Sequence, residues 1–208
     1  MNKKLLAVLM GSTFLLTACG GDDDSFVFDD GILKNNIVNP VVDTPTAYTL
    51  TDMSASAADS VVMTYKMLGV NGKEVQATSL VFTPKTPVPK DGWPIVIWAH
   101  GTTGVADICA PSRLALGSDV KNMISKFLAE GYVVVAPDYE GLGSAGDHPF
   151  LNVKSEAYSI TDAVLAARNW LGTKASKQWV TVGHSQGGQA ALGAAQYASR
   201  AQLNYKGT

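Results

Sequence analysis

Stretches in which β-branched and apolar residues concentrate predict the strands of this chain. Residues 60–68 and 74–82 partly alternate apolar and polar positions, which is typical of half-buried strands. Asn71-Gly72 lies between them and predicts a tight hairpin, because both residues tolerate a positive φ. Continuous apolar stretches predict three further strands that are buried on both faces, at residues 94–99, 132–136 and 179–182.

Apolar residues with helical spacing separate and follow these buried strands. The predicted helices cover residues 118–130, 155–171 and 186–201. Ser118 is expected to cap the first helix and Gly131 to stop it. Alternation of strand and helix predicts an α/β fold, with a mostly parallel sheet and helices on both faces. In such sheets ligands bind at the carboxyl ends of the strands.

The first residues have the pattern of a targeting signal. Lys3-Lys4 precede an apolar stretch, residues 5–16, that is too short to span a bilayer stably. The sequence LTAC follows, ends at Cys19, and resembles the lipobox of bacterial lipoproteins. The resemblance implies a signal peptide over residues 1–18 and acyl chains on Cys19. The alternative is an ordinary secretory signal with a chance cysteine.

The lipoprotein resemblance also implies a location and a domain organisation. A lipidated protein is exported and anchored to a membrane of the bacterial cell envelope. Each buried CH₂ of an acyl chain contributes about 0.8 kcal/mol to membrane binding, so several chains hold the protein firmly. No Asp directly follows Cys19, which favours the outer membrane over the inner. Residues 19–44, with many Gly, Asp, Asn and Pro, predict a flexible tether, and residues 45–208 the α/β domain.

Composition and charge narrow the class of protein. Of the 208 residues, 46% are hydrophobic and 16% are charged, which excludes a disordered chain and leaves enough apolar surface for a sizeable core. The net charge is −2, and no basic stretch occurs beyond Lys3-Lys4. We therefore expect no nucleic-acid partner.

The sequence GHSQGG at residues 183–188 is the strongest chemical signal. It lies between a short strand and an Ala-rich helix, which is the setting of a nucleophile elbow. Ser185 is therefore the predicted nucleophile. Gly183 and Gly187 are expected to avoid clashes with neighbouring backbone, and His184 to support the turn by hydrogen bonding. The alternative is a glycine-rich turn without chemistry.

The sequence HGTTG directly follows the first buried strand. In hydrolases with a nucleophile elbow, this loop supplies one backbone N–H of the oxyanion hole. The residue after the nucleophile, here Gln186, supplies the other. Thr102 is the first choice for the loop donor and Thr103 the second. His100 and Gly101 are expected to support the loop.

Four ordered motifs resemble the secretory lipase family, which contains the fungal lipase A type and many bacterial lipases and esterases. In chain order they are WAHGTTG, ICAPS, APDYEGLG and GHSQGG, and the resemblance runs from about Pro94 to the end of the chain. It implies an α/β-hydrolase that cleaves carboxylic esters with a Ser-Asp-His triad and without metal or cofactor. It also implies a cap inserted beyond residue 208, and a later cysteine that pairs with Cys109.

The acid and the histidine of that triad are expected to be absent from this chain. In α/β-hydrolases they follow the nucleophile, yet no Asp, Glu or His follows Ser185. The earlier histidines have other expected roles, with His100 and His184 supporting the site and His148 at its rim. Asp138, at the end of a predicted strand, is expected to stabilise the loop after it.

One principal prediction of function and two alternatives follow. The principal prediction is a lipoprotein lipase or esterase that acts on an ester substrate through an acyl-enzyme on Ser185. Its acid and histidine would lie beyond Thr208, so the 208 residues alone would be inactive. One alternative is a non-catalytic α/β-hydrolase-like lipoprotein that binds acyl ligands or protein partners. The other is a peptidase or polyester hydrolase on the same fold.

Overall fold

A computed structural model of the protein describes residues 31–208, in which strands and helices alternate after an initial hairpin. The strands are β1 (Thr46–Ala47), β2 (Ala57–Leu68), β3 (Glu74–Pro84), β4 (Trp93–Ala99), β5 (Val133–Pro137), β6 (Ala175–Gly183) and β7 (Asn204–Tyr205). The helices are α1 (Ser118–Ala129), α2 (Val153–Leu171) and α3 (Gln186–Gln196).

These strands form one mixed sheet in the order β1-β2-β3-β5-β4-β6-β7. β2 and β3 form the predicted antiparallel hairpin, and β3 is also antiparallel to β5. β4 runs parallel to β5 and β6, and β7 runs parallel to β6. The carboxyl ends of β4 and β6 therefore meet at one edge, where Ala99 lies opposite Gly183. The predicted α/β fold is confirmed.

Helices cover both faces of the sheet and create two hydrophobic clusters. α2 and α3 pack on one face, and α1 packs on the other through Ile124 and Leu128. β5 contributes to both clusters, because Val133 and Val135 belong to the first and Val134 to the second. This explains why a strand buried on both faces has a continuous apolar sequence.

The structure differs from the sequence predictions at the ends of the three helices. Ser118 is the first residue of α1 and supplies no side-chain cap. α2 begins two residues before its predicted start, because the Asn152 side chain accepts a hydrogen bond from the Ser155 N–H at 3.0 Å. α3 ends at Gln196, and residues 198–201 form a 3-10 helix.

Residues 31–44 were predicted as part of a flexible tether, and here the structure differs from the prediction. The Val42 N–H donates to the Thr64 carbonyl at 3.0 Å, which attaches the segment to β2. The Asn35 side chain donates to Asp162 of α2 at 2.6 Å. Backbone and side-chain hydrogen bonds therefore hold this segment against the α/β domain well before residue 45.

The remaining N-terminal predictions lie outside the described residues. They are the signal peptide at residues 1–18, the lipidated Cys19 and the tether at residues 19–30. Within residues 31–208, none of the helices combines the length and the apolar character needed to cross a membrane.

Candidate active site

Ser185 lies on the turn that joins β6 to α3, at the carboxyl edge of the sheet. Its φ of 57° and ψ of −119° are rare for a residue with a side chain, and such strain costs on the order of 1–3 kcal/mol. The residue is exposed, and the N-terminus of α3 begins directly after it. The positive end of the helix dipole therefore lies where a negative charge would be stabilised.

Two glycines allow the backbone around Ser185 to pack closely. A Cβ on Gly183 would lie 2.0 Å from the Gly187 carbonyl oxygen, and a Cβ on Gly187 would lie 1.9 Å from the Ala99 carbonyl oxygen. Neither distance is possible for a real side chain, so both positions require glycine, as predicted. Gly188 differs, because the nearest atom to its Cβ would be the Gly183 oxygen at 4.0 Å.

His184 supports the turn through its backbone. Its N–H donates to the Ala99 carbonyl at 3.2 Å, and its own carbonyl accepts from the Gly187 N–H at 2.9 Å. The loop after β4 packs against this residue, since a Cβ on Gly101 would lie 3.1 Å from His184 Nδ1. The His184 residue itself is exposed beside Ser185.

The predicted oxyanion donors flank this turn. Gln186 is the first residue of α3, where a backbone N–H has no partner within the helix. Thr102 and Thr103 are both exposed, and both line a cavity together with Gly101 and His184. The loop that carries both threonines packs beside the nucleophile turn, since a Cβ on Gly101 would lie 3.5 Å from the Ser185 Cβ.

This cavity, of about 290 Å³, is largely apolar. It lies on the face of the sheet that α1 covers, next to the loop after β4. Its apolar lining includes Leu80, Trp98, Leu114, Leu116, Val120 and Ala136. The volume and the lining suit a hydrocarbon group.

His100 is buried behind the loop, and its ring contacts backbone oxygens. Nδ1 lies 2.7 Å from the Gly101 carbonyl oxygen, and Nε2 lies 3.3 Å from the Asp138 carbonyl oxygen. The ring stacks on Tyr139 at 4.3 Å, and the Tyr139 hydroxyl donates to the His100 carbonyl at 3.0 Å. Burial lowers the pKa of His100, although the two carbonyl contacts oppose this shift. His100 thus supports the loop through the contacts of its buried ring.

Asp138 has the loop-stabilising position that the sequence predicted. Its carboxylate is fully buried and accepts hydrogen bonds from the Thr78 hydroxyl at 2.7 Å and the Ser112 N–H at 2.9 Å. Burial raises the pKa of Asp138 to about 6, and these hydrogen bonds lower it in part. Asp138 therefore joins β3, the residues before α1 and the end of β5.

The Gln186 side chain is held between Glu156 and His148. The sequence analysis did not single out Glu156. Gln186 Nε2 donates to Glu156 Oε1 at 2.8 Å and lies 3.3 Å from His148 Nε2. Burial raises the pKa of Glu156, and the hydrogen bond from Gln186 opposes the shift. A signal was present, because Glu156 stands four residues before Ile160 and so shares the inner face of α2.

His148 is half-buried, close to Gln186 as the predicted rim position implies. Among residues 31–208, the hydrogen bonds of the His100 and His148 rings go to carbonyl oxygens and to Gln186, and none reaches Ser185. No carboxylate hydrogen bond in this part of the chain reaches Ser185 either. Among the described residues, therefore, Ser185 has no hydrogen bond to a histidine or carboxylate of the kind that a general base makes.

Cys109 is a free, half-buried thiol beside Gly104. Its predicted disulfide has no second cysteine within the described residues. The same part of the chain contains no group of three His, Cys, Asp or Glu side chains that could hold a metal ion. The expectation that the protein uses no metal or cofactor stays a prediction.

Comparison with solved structures shows the fold. Lipase A from Candida antarctica in its closed state superimposes with a TM-score of 0.65 at 23% identity, over 80% of this chain and 40% of that chain. A ligand-bound form of LipA from Xanthomonas oryzae, a rice cell wall degrading esterase, gives 0.57 at 27% identity, over 74% and 44%. A hydrolase of Legionella pneumophila, itself described as putative, gives 0.58 at 25%, over 71% and 41%.

This chain thus spans less than half of the length of those structures. No curated protein matches it. The sequence profile of the secretory lipase family matches residues 113–205, a range that includes the elbow. The chain therefore has the α/β-hydrolase fold of lipases and esterases, and its C-terminal part matches the secretory lipase family.

Proposed function

We propose that the protein is a carboxylic ester hydrolase that acts through an acyl-enzyme on Ser185. The observation that carries the proposal is the elbow, an exposed serine at a φ of 57° between β6 and the N-terminus of α3. The match to the secretory lipase family supports ester substrates. The Candida antarctica lipase and the Xanthomonas oryzae esterase, which share this fold, are enzymes of the same substrate class.

In the proposed reaction, Ser185 Oγ attacks the ester carbonyl while its proton passes to a histidine. The proton then goes to the leaving alcohol as the ester C–O bond breaks. A water, deprotonated by the same histidine, attacks the acyl-enzyme, releases the carboxylic acid and restores Ser185. In both steps the N–H groups of Gln186 and of Thr102 (or Thr103) hold the negative oxygen, and losing one such donor typically costs ~10²–10³ in rate.

The histidine and its orienting acid are proposed to come from residues outside the present sequence. Two observations support this: no described histidine or carboxylate hydrogen-bonds to Ser185, and the chain spans under half of the similar structures. The acyl or alcohol group of the substrate is proposed to occupy the apolar cavity beside Thr102.

A fluorophosphonate probe tests the nucleophile in the full-length protein. The probe forms a covalent bond with an activated serine, so we expect labelling of Ser185 and complete loss of labelling in Ser185→Ala. Ser118→Ala is the matched control, because Ser118 is an exposed serine on a helix outside the site. Labelling that survives in Ser185→Ala, or a wild-type protein that is never labelled, would contradict the proposal.

A second candidate function is the binding of acyl ligands or protein partners without turnover. It is favoured by the same lack of a base near Ser185 in the described residues, together with the apolar cavity. It predicts saturable binding of a fatty acid with no labelling of Ser185. A peptidase or polyesterase on this fold would instead label, and would be distinguished by a panel of ester, amide and polyester substrates.

We also propose that the protein is exported and anchored to the bacterial envelope through Cys19. The proposal rests on the basic residues, the apolar stretch and the LTAC sequence of residues 1–19. Metabolic labelling with palmitate should mark the wild-type protein and not Cys19→Ala. Equal release of both proteins into the medium would contradict an anchor.

A further inference from the structure

Gln186 has its backbone and its side chain in different roles. Its N–H is at the first position of α3, next to Ser185, where the proposed function needs an oxyanion donor. Its residue is only 4% exposed, because the side chain runs inwards to Glu156 and His148. The contacts with Glu156 and His148 therefore hold the residue whose backbone N–H is the proposed oxyanion donor.

Both amide hydrogens of Gln186 have a partner in the structure. The Gln186 amide nitrogen faces Glu156 and donates one of its hydrogens to Oε1 at 2.8 Å. The second amide hydrogen then points to His148 Nε2, which must accept. The ring proton of His148 is consequently on Nδ1, from which it is donated to the Glu140 carbonyl at 2.7 Å. The Gln186 side chain is thus oriented from two directions.

Glu156 is an unusual residue for an interior position. It is 1% exposed, no Lys or Arg pairs with it in the described chain, and its Oε2 makes no hydrogen bond. An apolar residue would pack there at lower cost, since a buried carboxylate loses its hydration. Its side-chain partner is Gln186, and groups whose pKa is shifted by burial are concentrated at functional sites.

The backbone beside Gln186 needs such support. Ser185 has a strained conformation, and the N–H of Gln186, at the first position of α3, has no partner within the helix to fix its direction. A donor in an oxyanion hole must be held within about 0.5 Å of its productive position. A side chain fixed at both amide hydrogens adds a restraint at Gln186 itself.

We propose that Glu156 and His148 are positioning residues that hold the Gln186 side chain and, through it, the Gln186 N–H in the oxyanion hole. The inference rests on the proposed function, in which that N–H stabilises the negative oxygen. The expected effect is on kcat, because the oxyanion exists in the transition state and not in the bound ester.

The test uses the full-length enzyme and a soluble ester, p-nitrophenyl butyrate. Glu156→Leu removes the acceptor, and we expect kcat to fall about tenfold with KM unchanged, less than the ~10²–10³ for loss of a whole donor. Glu156→Gln keeps a carbonyl acceptor and should restore most of kcat. Gln186→Leu keeps the backbone N–H but loses both amide hydrogens, so it should match Glu156→Leu, and the double variant should lose no more.

Thr161→Val is the matched control, because Thr161 is fully buried on α2 and its side chain hydrogen-bonds only within that helix. It should lower stability without lowering kcat. An unchanged kcat in Glu156→Leu, additive losses in the double variant, or equal losses in Thr161→Val would overturn the inference. Fluorophosphonate labelling of the wild type distinguishes failure of this inference from failure of the proposed function. If Ser185 is labelled, the proposed nucleophile stands whatever the variants show, whereas an unlabelled Ser185 would contradict both the proposed function and the inference.

Discussion

At the scale of single residues, Gly187 shows how a missing side chain determines the site. A Cβ at this position would overlap the Ala99 carbonyl oxygen at 1.9 Å, and neither a Cβ nor a backbone oxygen can rotate out of the contact. Gly187→Ala must therefore push α3 away from β4. We expect a loss of more than about 3 kcal/mol in the free energy of unfolding, measured by urea denaturation, or no folding at all.

Gly188→Ala provides the comparison for that prediction. The position is one residue further along α3, and a Cβ there would have 4.0 Å to its nearest neighbour. Alanine favours a helix over glycine by about 1 kcal/mol, so this variant should be as stable as the wild type or slightly more stable. If the two variants lost equal stability, the close contact between α3 and β4 would not be the cause.

Asp138 leads to a prediction about pH. Burial raises its pKa from 3.8 to about 6, so between these values the folded protein holds a proton that the unfolded chain has released. Its contribution to stability therefore falls as pH rises from about 4 to 6, by roughly 3 kcal/mol in total. Asp138→Asn cannot ionise and should lack this fall.

The measurement is urea unfolding of wild type and Asp138→Asn at several values between pH 4 and pH 7. The stability of the variant relative to the wild type should increase across this window and level off above it. A constant difference between the two proteins would mean that Asp138 ionises in the folded state as easily as in the unfolded state.

The sequence predicted individual residues well where a local motif has a strict geometric requirement. The elbow turn needs glycines at 183 and 187, and the structure has backbone atoms where their side chains would be. Glu156 was missed because its role depends on Gln186, 30 residues away, and no local pattern connects the two. Helical spacing from Ile160 indicated only that Glu156 faces inwards.

At the scale of elements, a buried ion pair joins the C-terminal residues to α2. Arg200 Nε and Nη2 donate to the two oxygens of Asp162 at 2.9 and 2.8 Å, and both side chains are almost fully buried. Asp162 also accepts from the Leu68 N–H at the end of β2, and Arg200 donates to the Leu33 carbonyl. The pair therefore connects four separate segments.

Arg200→Met would leave the Asp162 carboxylate buried without its partner. We expect a loss of about 3–5 kcal/mol in the free energy of unfolding. The double variant Asp162→Asn/Arg200→Met should be more stable than Arg200→Met alone, because no charge remains buried and the amide oxygen introduced at position 162 still accepts from the Leu68 N–H. A double variant that is less stable than both single variants would contradict this explanation.

The exposed pair of Lys66 and Glu74 is the control, with an N–O distance of 3.3 Å and side chains 31% and 49% exposed. Water already solvates both charges, so Lys66→Ala should change stability by no more than about 1 kcal/mol. The contacts of residues 31–44 explain why the tether boundary was mispredicted. Residues 31–44 look like a linker in sequence, but Asn35 contacts Asp162 and the segment pairs with β2.

At the scale of the whole molecule, alternation of strand and helix predicted the class of fold but not the strand order. Nothing in the sequence of β5 indicates that it lies between β3 and β4, because this arrangement depends on pairing between distant segments. The location of the site was still predictable. Parallel strands carry their loops at the same edge, so the motifs after β4 and β6 had to meet there.

The last prediction concerns the 208 residues assayed by themselves. Ser185 is exposed and lies beside the two predicted donor segments, but no described histidine or carboxylate is hydrogen-bonded to it. When a serine hydrolase with a catalytic triad loses its nucleophile or base, kcat falls by about 10⁶, and the oxyanion hole and substrate binding alone retain about 10³–10⁴ over water. We therefore expect the chain to hydrolyse p-nitrophenyl butyrate no faster than its own Ser185→Ala variant at ordinary enzyme concentrations. Turnover that disappears in Ser185→Ala would mean that a base lies within these residues. His184, exposed next to the nucleophile, would then be the first histidine to replace.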